Sequence, residues 1–400
     1  MLQWKKNLYV LFGAELLAVA GMMMIQPFLT LYIEELDRSF GSTELWAGLV
    51  YSLQAGMMLL TAPIWGAIAD RYGRKVMVQR SMLGGAVIIG LMGLVTSVEQ
   101  LTLLRTIQGA VTGVIPASQA LIAASAPRER SGFALGVMEM GALVGFSIGP
   151  LLGGLLADAF GFRTAFAVTA LLMFLAGLAV SLLVEEAFIP ARVTRLNGSE
   201  MFRDWLAVLR APRVNDYLSM GFLVQIGRTA IVPFLPLFVV AQLTQEQNAP
   251  TVTGLVVGVS GAAGALSAVY LGRLGDRHGQ QKLILLAALA AAVGYGLLAL
   301  SGEIWQLVLL FALIGVAEGG LIPGIAALLN NAAPPGKTSS VYGLRTSFMA
   351  AGRMLAPALG ALIAGATSLQ GVFVLAAAAY GAVAVMSRVG EREARLELGD

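Results

Sequence analysis

Twelve apolar runs recur along the chain, each roughly 20 residues or longer and able to cross about 30 Å of hydrocarbon as a helix. They cover approximately 8–33, 45–69, 76–97, 101–125, 132–157, 162–184, 215–241, 252–272, 283–301, 304–330, 339–366 and 369–387. No water reaches the centre of a bilayer, so a spanning backbone must satisfy its own hydrogen bonds, and such runs become helices. The expected fold is therefore an all-α membrane protein with twelve transmembrane helices. Composition agrees: 58% of the 400 residues are hydrophobic and 12% are charged, about half the charged share of a soluble domain.

The longest polar stretch, 185–216, holds Pro190, Asn197, Gly198 and Pro212 and separates six runs from six. It predicts an N-terminal six-helix bundle over 1–185, a cytoplasmic linker over 186–214, a second bundle over 215–387 and a charged tail over 388–400. Lys5 and Lys6 precede a first run too long for a signal-peptide core, so the first helix is expected in the mature protein. Placing both termini and the linker inside puts 20 of the 26 Lys and Arg on the cytoplasmic side, with Arg38 and Arg163 outside. That imbalance is the positive-inside signature. It predicts a multi-pass protein of the plasma (inner) membrane, and it makes the net charge of +3 a matter of topology, with no nucleic-acid partner.

The chain also repeats itself. Pro27-Phe28-Leu29 recurs as Pro233-Phe234-Leu235, residues 66–73 as 272–279, and Gly109 with Gly113 as Gly315 with Gly319, all displaced by 206 positions. Pro127, Gly136, Pro150 and Gly153 recur as Pro334, Gly343, Pro357 and Gly360, displaced by 207. A shift of six spans restores the same membrane direction, so the halves are parallel repeats about an axis along the membrane normal.

Composition removes most other functions. With no cysteine there is no disulfide framework or thiolate chemistry, and a single histidine cannot build a histidine metal cluster. No cofactor, metal or enzymatic centre is expected. A receptor would want a sizeable soluble output domain, and the sequence holds none.

The loop after the second run reads Gly66-Ala67-Ile68-Ala69-Asp70-Arg71-Tyr72-Gly73-Arg74-Lys75, with a degenerate copy from Gly272 to Gly279. Its glycines permit a tight turn, Asp70 can cap a helix N-terminus, and its arginines can bind carboxylates or lipid phosphates. The fourth run contains Arg105, Gln108 and Gly109; the fifth contains Gly141, Gly145, Gly149-Pro150 and Gly153-Gly154. Glycines four apart open a groove for another backbone, and a proline weakens the helix ladder. Over essentially its whole length the chain resembles the major facilitator superfamily, closest to the twelve-helix drug:proton antiporters. The resemblance implies a conformational latch at Gly66, Asp70, Arg71, Gly73 and Arg74, and an antiporter motif at Gly145, Gly149, Pro150, Gly153 and Gly154. One departure is plain: the first run lacks the second proline of the exporters' Pro-x-x-Pro pattern, which the seventh keeps as Pro233 and Pro236.

Seven ionisable residues fall within the runs: Glu15, Arg105, Glu139, Arg228, Glu318, Arg345 and Arg353. Each is costly in hydrocarbon unless paired or facing water, so each is a functional candidate. Rise per residue places Glu15 and Glu139 about 9 Å to the cytoplasmic side of their helix centres. Arg228, Glu318 and Arg353 lie close to the midplane, and Arg105 lies in the outer half, away from Glu15. Glu318 is expected to pair with Arg228 or Arg353, and Glu15 with Glu139 to form a cytoplasmic-half acid pair able to hold a proton. A static ion pair joining helices is the alternative. In the family, spans one, four, seven and ten line the cavity and spans five and eleven flank it, which implies Glu15, Arg105, Arg228 and Glu318 along the substrate path and Arg353 beside it; Met22 and Gln26 either form an adaptable wall there or face lipid and neighbouring helices.

The expected function is proton-coupled efflux of lipophilic small molecules by alternating access, through proton-coupling acids Glu15, Glu139 and Glu318. Protons, the substrate and membrane lipids are the expected partners, and one chain suffices, a monomer. The rival is export or flipping of an anionic amphiphile, such as a lipid or organic acid, because four arginines face three glutamates within the runs.

Overall fold

The structure, a computed structural model, describes the backbone of residues 3–186, 198–243, 248–334 and 337–398, without the side chains of Asp70, Arg128, residues 198–202, 204, 338–339 and 390–398. The middle of the expected linker, 187–197, thus lies outside the described residues. Helices occur in the order α1 (Gln3–Met24), α2 (Leu29–Glu35), α3 (Thr43–Tyr72), α4 (Arg74–Gln79), α5 (Gly85–Met92), α6 (Val98–Val111), α7 (Val114–Ser125), α8 (Ser131–Phe160) and α9 (Phe162–Leu183). A π-helical turn, Arg80–Gly84, joins α4 to α5. Next come α10 (Gly198–Leu209), α11 (Val214–Ala230), α12 (Leu235–Val240), α13 (Ala249–His278), α14 (Gln280–Leu298), α15 (Ile304–Asn331), α16 (Thr338–Ala366) and α17 (Leu369–Leu398).

Among the described residues eleven helical runs are long and apolar enough to cross a membrane. The twelfth is the seventh span, divided between α11 and α12 by a turn over 231–234. The first span breaks at the equivalent place, between Met24 and Leu29. Both interruptions hold the repeated Pro-Phe pair, Pro27-Phe28 and Pro233-Phe234, and proline cannot donate to the helix ladder. The fourth span is broken as well, at extended Thr112 and at Gly113 with φ +153°. These three spans were expected to be continuous. By contrast Pro63, Pro150, Pro323 and Pro357 lie inside uninterrupted helices.

The chain divides into two compact units, Met1–Val193 with Leu235–Gly258, and Thr194–Phe234 with Val259–Asp400. Inside each unit the repeat reappears as packing. In the first, Gly109 of α6 lies against the Gln54 backbone of α3; in the second, Gly315 of α15 lies against the Ser260 backbone of α13. Gly145 of α8 packs on Val19 of α1, and Gly352 of α16 on Gln225 of α11; a Cβ would come within 2.9 and 3.0 Å. Gly153 meets the Met24 backbone where Gly360 meets the Ala230 carbonyl. Each partner stands 206 or 207 positions from its counterpart, so the same helix pairs approach in the same register. In a bilayer, where hydrocarbon does not drive helices together, such close backbone contact supplies the association.

Gly153→Leu is expected to force α1 and α8 apart and cost about 3 kcal/mol, the scale of overpacking. Gly136→Leu, where a Cβ meets nothing within 4 Å, serves as the neutral comparison. Thermal unfolding of both variants in detergent, followed by size-exclusion chromatography, checks this.

Candidate functional site

The second unit gathers Arg228, Glu318 and Arg353 near mid-span, with Arg345 standing nearer the end of its helix. Glu318 lies 14 residues from the start and 13 from the end of Ile304–Asn331, and Arg353 lies 13 residues from each end of Ser340–Ala366. The carboxylate of Glu318, on α15, is met from three other helices. Arg228 Nε of α11 lies 3.4 Å from Glu318 Oε2. The Tyr295 hydroxyl of α14 donates to Oε1 at 3.4 Å, and the Tyr380 hydroxyl of α17 donates to the same oxygen. The two phenol rings stack with centroids 5.3 Å apart and planes 23° apart, and Phe311 meets Tyr295 edge-on at 6.4 Å. Gly227 lets the Tyr380 ring reach this position, since a Cβ there would lie 2.7 Å from the ring.

The pair is one-sided: the Arg228 side chain is 52% exposed, that of Glu318 only 11%. Arg353, also exposed, has Arg228 as its electrostatic neighbour and no carboxylate within 4 Å among the described residues. Of the two partners expected for Glu318, the structure pairs it with Arg228. Arg345, half-buried, takes no part in an ion pair among the described residues.

Tyr295 and Tyr380 carry no motif and are missed by sequence patterns. A signal exists in the repeat. The positions equivalent to Arg228, Tyr295, Glu318 and Tyr380 in the first half are Met22, Ile89, Thr112 and Met173. The scaffold folds without this polar cluster in one half, so packing alone does not require it in the other.

The first unit holds the other acids. Glu15 of α1 is fully buried, and neither carboxylate oxygen has a hydrogen-bond partner among the described residues. Its polar neighbours are Ser118 of α7 and Glu139 of α8. Glu139 is exposed and accepts a hydrogen bond from Gln119 Nε2 at 2.9 Å. The two acids are thus electrostatic neighbours, one enclosed and one open. Arg105 is not their partner: its Nη1 donates to Gln108 Oε1 at 2.7 Å, and its guanidinium stands 5.6 Å from the Tyr51 ring centre. Gln54 Nε2 reaches the same Gln108 oxygen at 3.3 Å. Met22 and Gln26 lie half-buried near the end of α1 and in the turn that follows.

The loop motif is built around Gly73, whose φ of +98° turns α3 directly into α4; its copy Gly279 does the same at +96° between α13 and α14. A side chain is strained there, hence glycine at both. The new helix start at α4 is capped by Glu186, whose Oε1 and Oε2 accept from the backbone N–H of Arg74 and Lys75 at 2.9 and 2.8 Å. Lys75 Nζ donates to the Ser181 carbonyl at 2.9 Å, tying α4 to the end of α9 itself. Glu186 was not singled out from sequence; its partners are 111 and 112 residues away. Arg71 lies over Tyr72, Arg74 is half-buried, and Gly66 has open space around it. The side chain of Asp70 lies outside the described residues; its copy Asp276 accepts from Gln280 at 2.9 Å.

The fifth-span glycines form the closest contacts of α8. Gly145, Gly149 and Gly153 face α1, while Gly154 faces Pro250 at the start of α13 and Pro150 faces Gly254. Asp158 caps that same helix start, accepting from the Thr251 N–H at 2.9 Å and from its hydroxyl.

Eleven apolar helical runs of spanning length, with the seventh span divided between α11 and α12, define an integral, multi-pass membrane protein. The chain belongs to the Major Facilitator Superfamily, whose model matches residues 11–243 and again 217–397, and it has that family's twelve-helix fold. Among its relatives are the multidrug resistance proteins MdtG of Salmonella paratyphi A and Salmonella typhimurium, each 34% identical over 401 residues, covering 99% of this chain and 98% of theirs. The nucleoside transporter NupG shares the fold with a TM-score of 0.76 at 15% identity, covering 97% of this chain and 99% of its own. A bacterial homolog of the human lysosomal transporter Spinster does so at 0.76 and 16%, covering 98% of each chain.

Removing one partner of the Glu318 pair leaves a cation at mid-depth, but the half-exposed guanidinium tempers the cost. Glu318→Ala is expected to destabilise by about 2 kcal/mol, and adding Arg228→Met to restore part of it. Apparent Tm values of the single and double variants in detergent measure the difference.

Proposed function

We propose that this chain exports lipophilic small molecules in exchange for protons, by alternating access, from the plasma (inner) membrane with both termini in the cytoplasm. Residues 1–185 and 215–387 are the two bundles that alternate, and 186–214 links them. The observation that carries the reading is Glu15: a fully enclosed carboxyl group beside Ser118, with no cation paired to it among the described residues, next to a second acid that is open. An ion pair would have to break before its acid could take up and release a proton, whereas Glu15 has none to break. Glu139 is the exchange partner on the open side. Glu318, held by Arg228 and two phenols, is a proton site only if that pair opens, and it serves first to set the charge of the second unit.

The 34% identity to proteins called multidrug resistance proteins supports a lipophilic cargo over a nutrient. Met22 and Gln26 offer a flexible, largely apolar wall of the kind that adapts to varied ligands. The loop of Gly66, Asp70, Arg71, Gly73 and Arg74 acts as the latch, with Glu186 holding its second helix in place. Gly145, Gly149, Pro150, Gly153 and Gly154 keep α8 close to its neighbours as the motif of antiport.

Proteoliposomes acidic inside test the reading with ethidium, a lipophilic dye. Wild-type protein is expected to drive ethidium uptake that a protonophore stops. Glu15→Gln is expected to lose uphill uptake yet keep dye exchange at equal pH. Uphill uptake unchanged in Glu15→Gln would refute the role of Glu15.

A further inference from the structure

The second unit carries more positive than negative charge at its mid-depth. Arg228 shares Glu318, whose Oε1 is already taken by two phenols, and Arg353 has no acid of its own within 4 Å among the described residues. The two arginines come from directly packed helices: Gly352, next to Arg353, lies against the Phe222 carbonyl and against Gln225, which stands about one turn before Arg228 on α11. Both guanidinium side chains are exposed, so neither is sealed into the protein interior. An uncompensated arginine in hydrocarbon is expensive, and such residues face an aqueous space or an anion. The first half has Met22 and Phe146 at the equivalent positions, so the surplus charge is no requirement of the repeat.

We infer that Arg353, with Arg228 beside it, is the subsite that binds the acid group of an anionic amphiphile, a carboxylate or phosphate whose apolar part lies along the helices. A guanidinium presents paired N–H donors that match either group, and it keeps its charge throughout the cycle. Arg228 can lend one edge to the ligand while Nε stays with Glu318. The acid group could belong to a free amphiphile or to a phospholipid of the bilayer. Arg353 lies 13 residues from either end of its helix span, about 20 Å by helical rise, which is beyond a headgroup that remains in its leaflet. The ligand is therefore a free amphiphile that enters the protein.

This subsite rests on the transport reading above, and binding separates the two. Dansyl-labelled undecanoate and its methyl ester are titrated by fluorescence into full-length protein in nanodiscs of zwitterionic lipid. The acid is expected to bind at least about ten-fold more tightly than the ester, as the loss of one charge-assisted contact predicts. Arg353→Gln should erase that preference while leaving ester binding intact, which also shows that the variant is folded; Arg353→Lys should retain part of it. Equal binding of acid and ester to wild-type protein, or an acid preference that survives Arg353→Gln, overturns the inference. Displacement of the probe by added phosphatidylglycerol overturns the choice of a free amphiphile and assigns the site to a headgroup. Proton-driven ethidium uptake with no acid preference would sink the subsite alone; acid preference without proton-driven uptake would sink the coupling reading alone.

Discussion

A polar group inside a bilayer has no water to fall back on, and that constraint organises this molecule at every scale. It turns twelve apolar runs into helices, because only a helix satisfies a lone spanning backbone. It sends the helices together through glycine, because hydrocarbon on both sides of a leucine leaves close backbone contact as the main source of association. It also makes each intramembrane charge conspicuous. Arg105 donates to a glutamine beside a tyrosine ring, Arg228 meets a glutamate tied to two phenols, and Glu15 is enclosed with no cation paired to it among the described residues.

The internal repeat separates scaffold from chemistry. Gly109 and Gly315, Gly145 and Gly352, and Gly153 and Gly360 make the same contacts in both halves, so they belong to the fold. The charges within the spans do not repeat. Glu15 and Arg105 correspond to Gly221 and Phe311, and Arg228 and Tyr380 to Met22 and Met173. One half thus holds an enclosed acid, the other an ion pair with a surplus arginine. A duplicated frame with unlike charges in its two copies suits a machine in which one half manages protons and the other a ligand.

Much of this was legible in the sequence because hydrophobicity and glycine spacing act locally. The spans and the parallel repeat follow from run length and offset, and depth narrows the partner of Glu318 to Arg228 or Arg353, of which the structure pairs Arg228. What was not legible depends on contacts across long separations. Glu186 caps a helix start more than a hundred residues earlier, and Tyr295 and Tyr380 converge on Glu318 from two further helices. The break at Thr112–Gly113 falls within a run long enough to span, and no proline stands at either position to mark it. The breaks at Pro27 and Pro233 had a visible cause, yet four other prolines sit in unbroken helices, so proline alone did not locate them.

The central claim is that Glu15 surrenders a proton as the transporter takes up its cargo. Following the pH of a weakly buffered detergent solution of purified protein while a neutral lipophilic ligand is added tests it most directly. Wild-type protein is predicted to release protons on saturation, and the Glu15→Gln protein to bind the ligand with no release. Equal release from both proteins, or none from the wild type, would contradict the account.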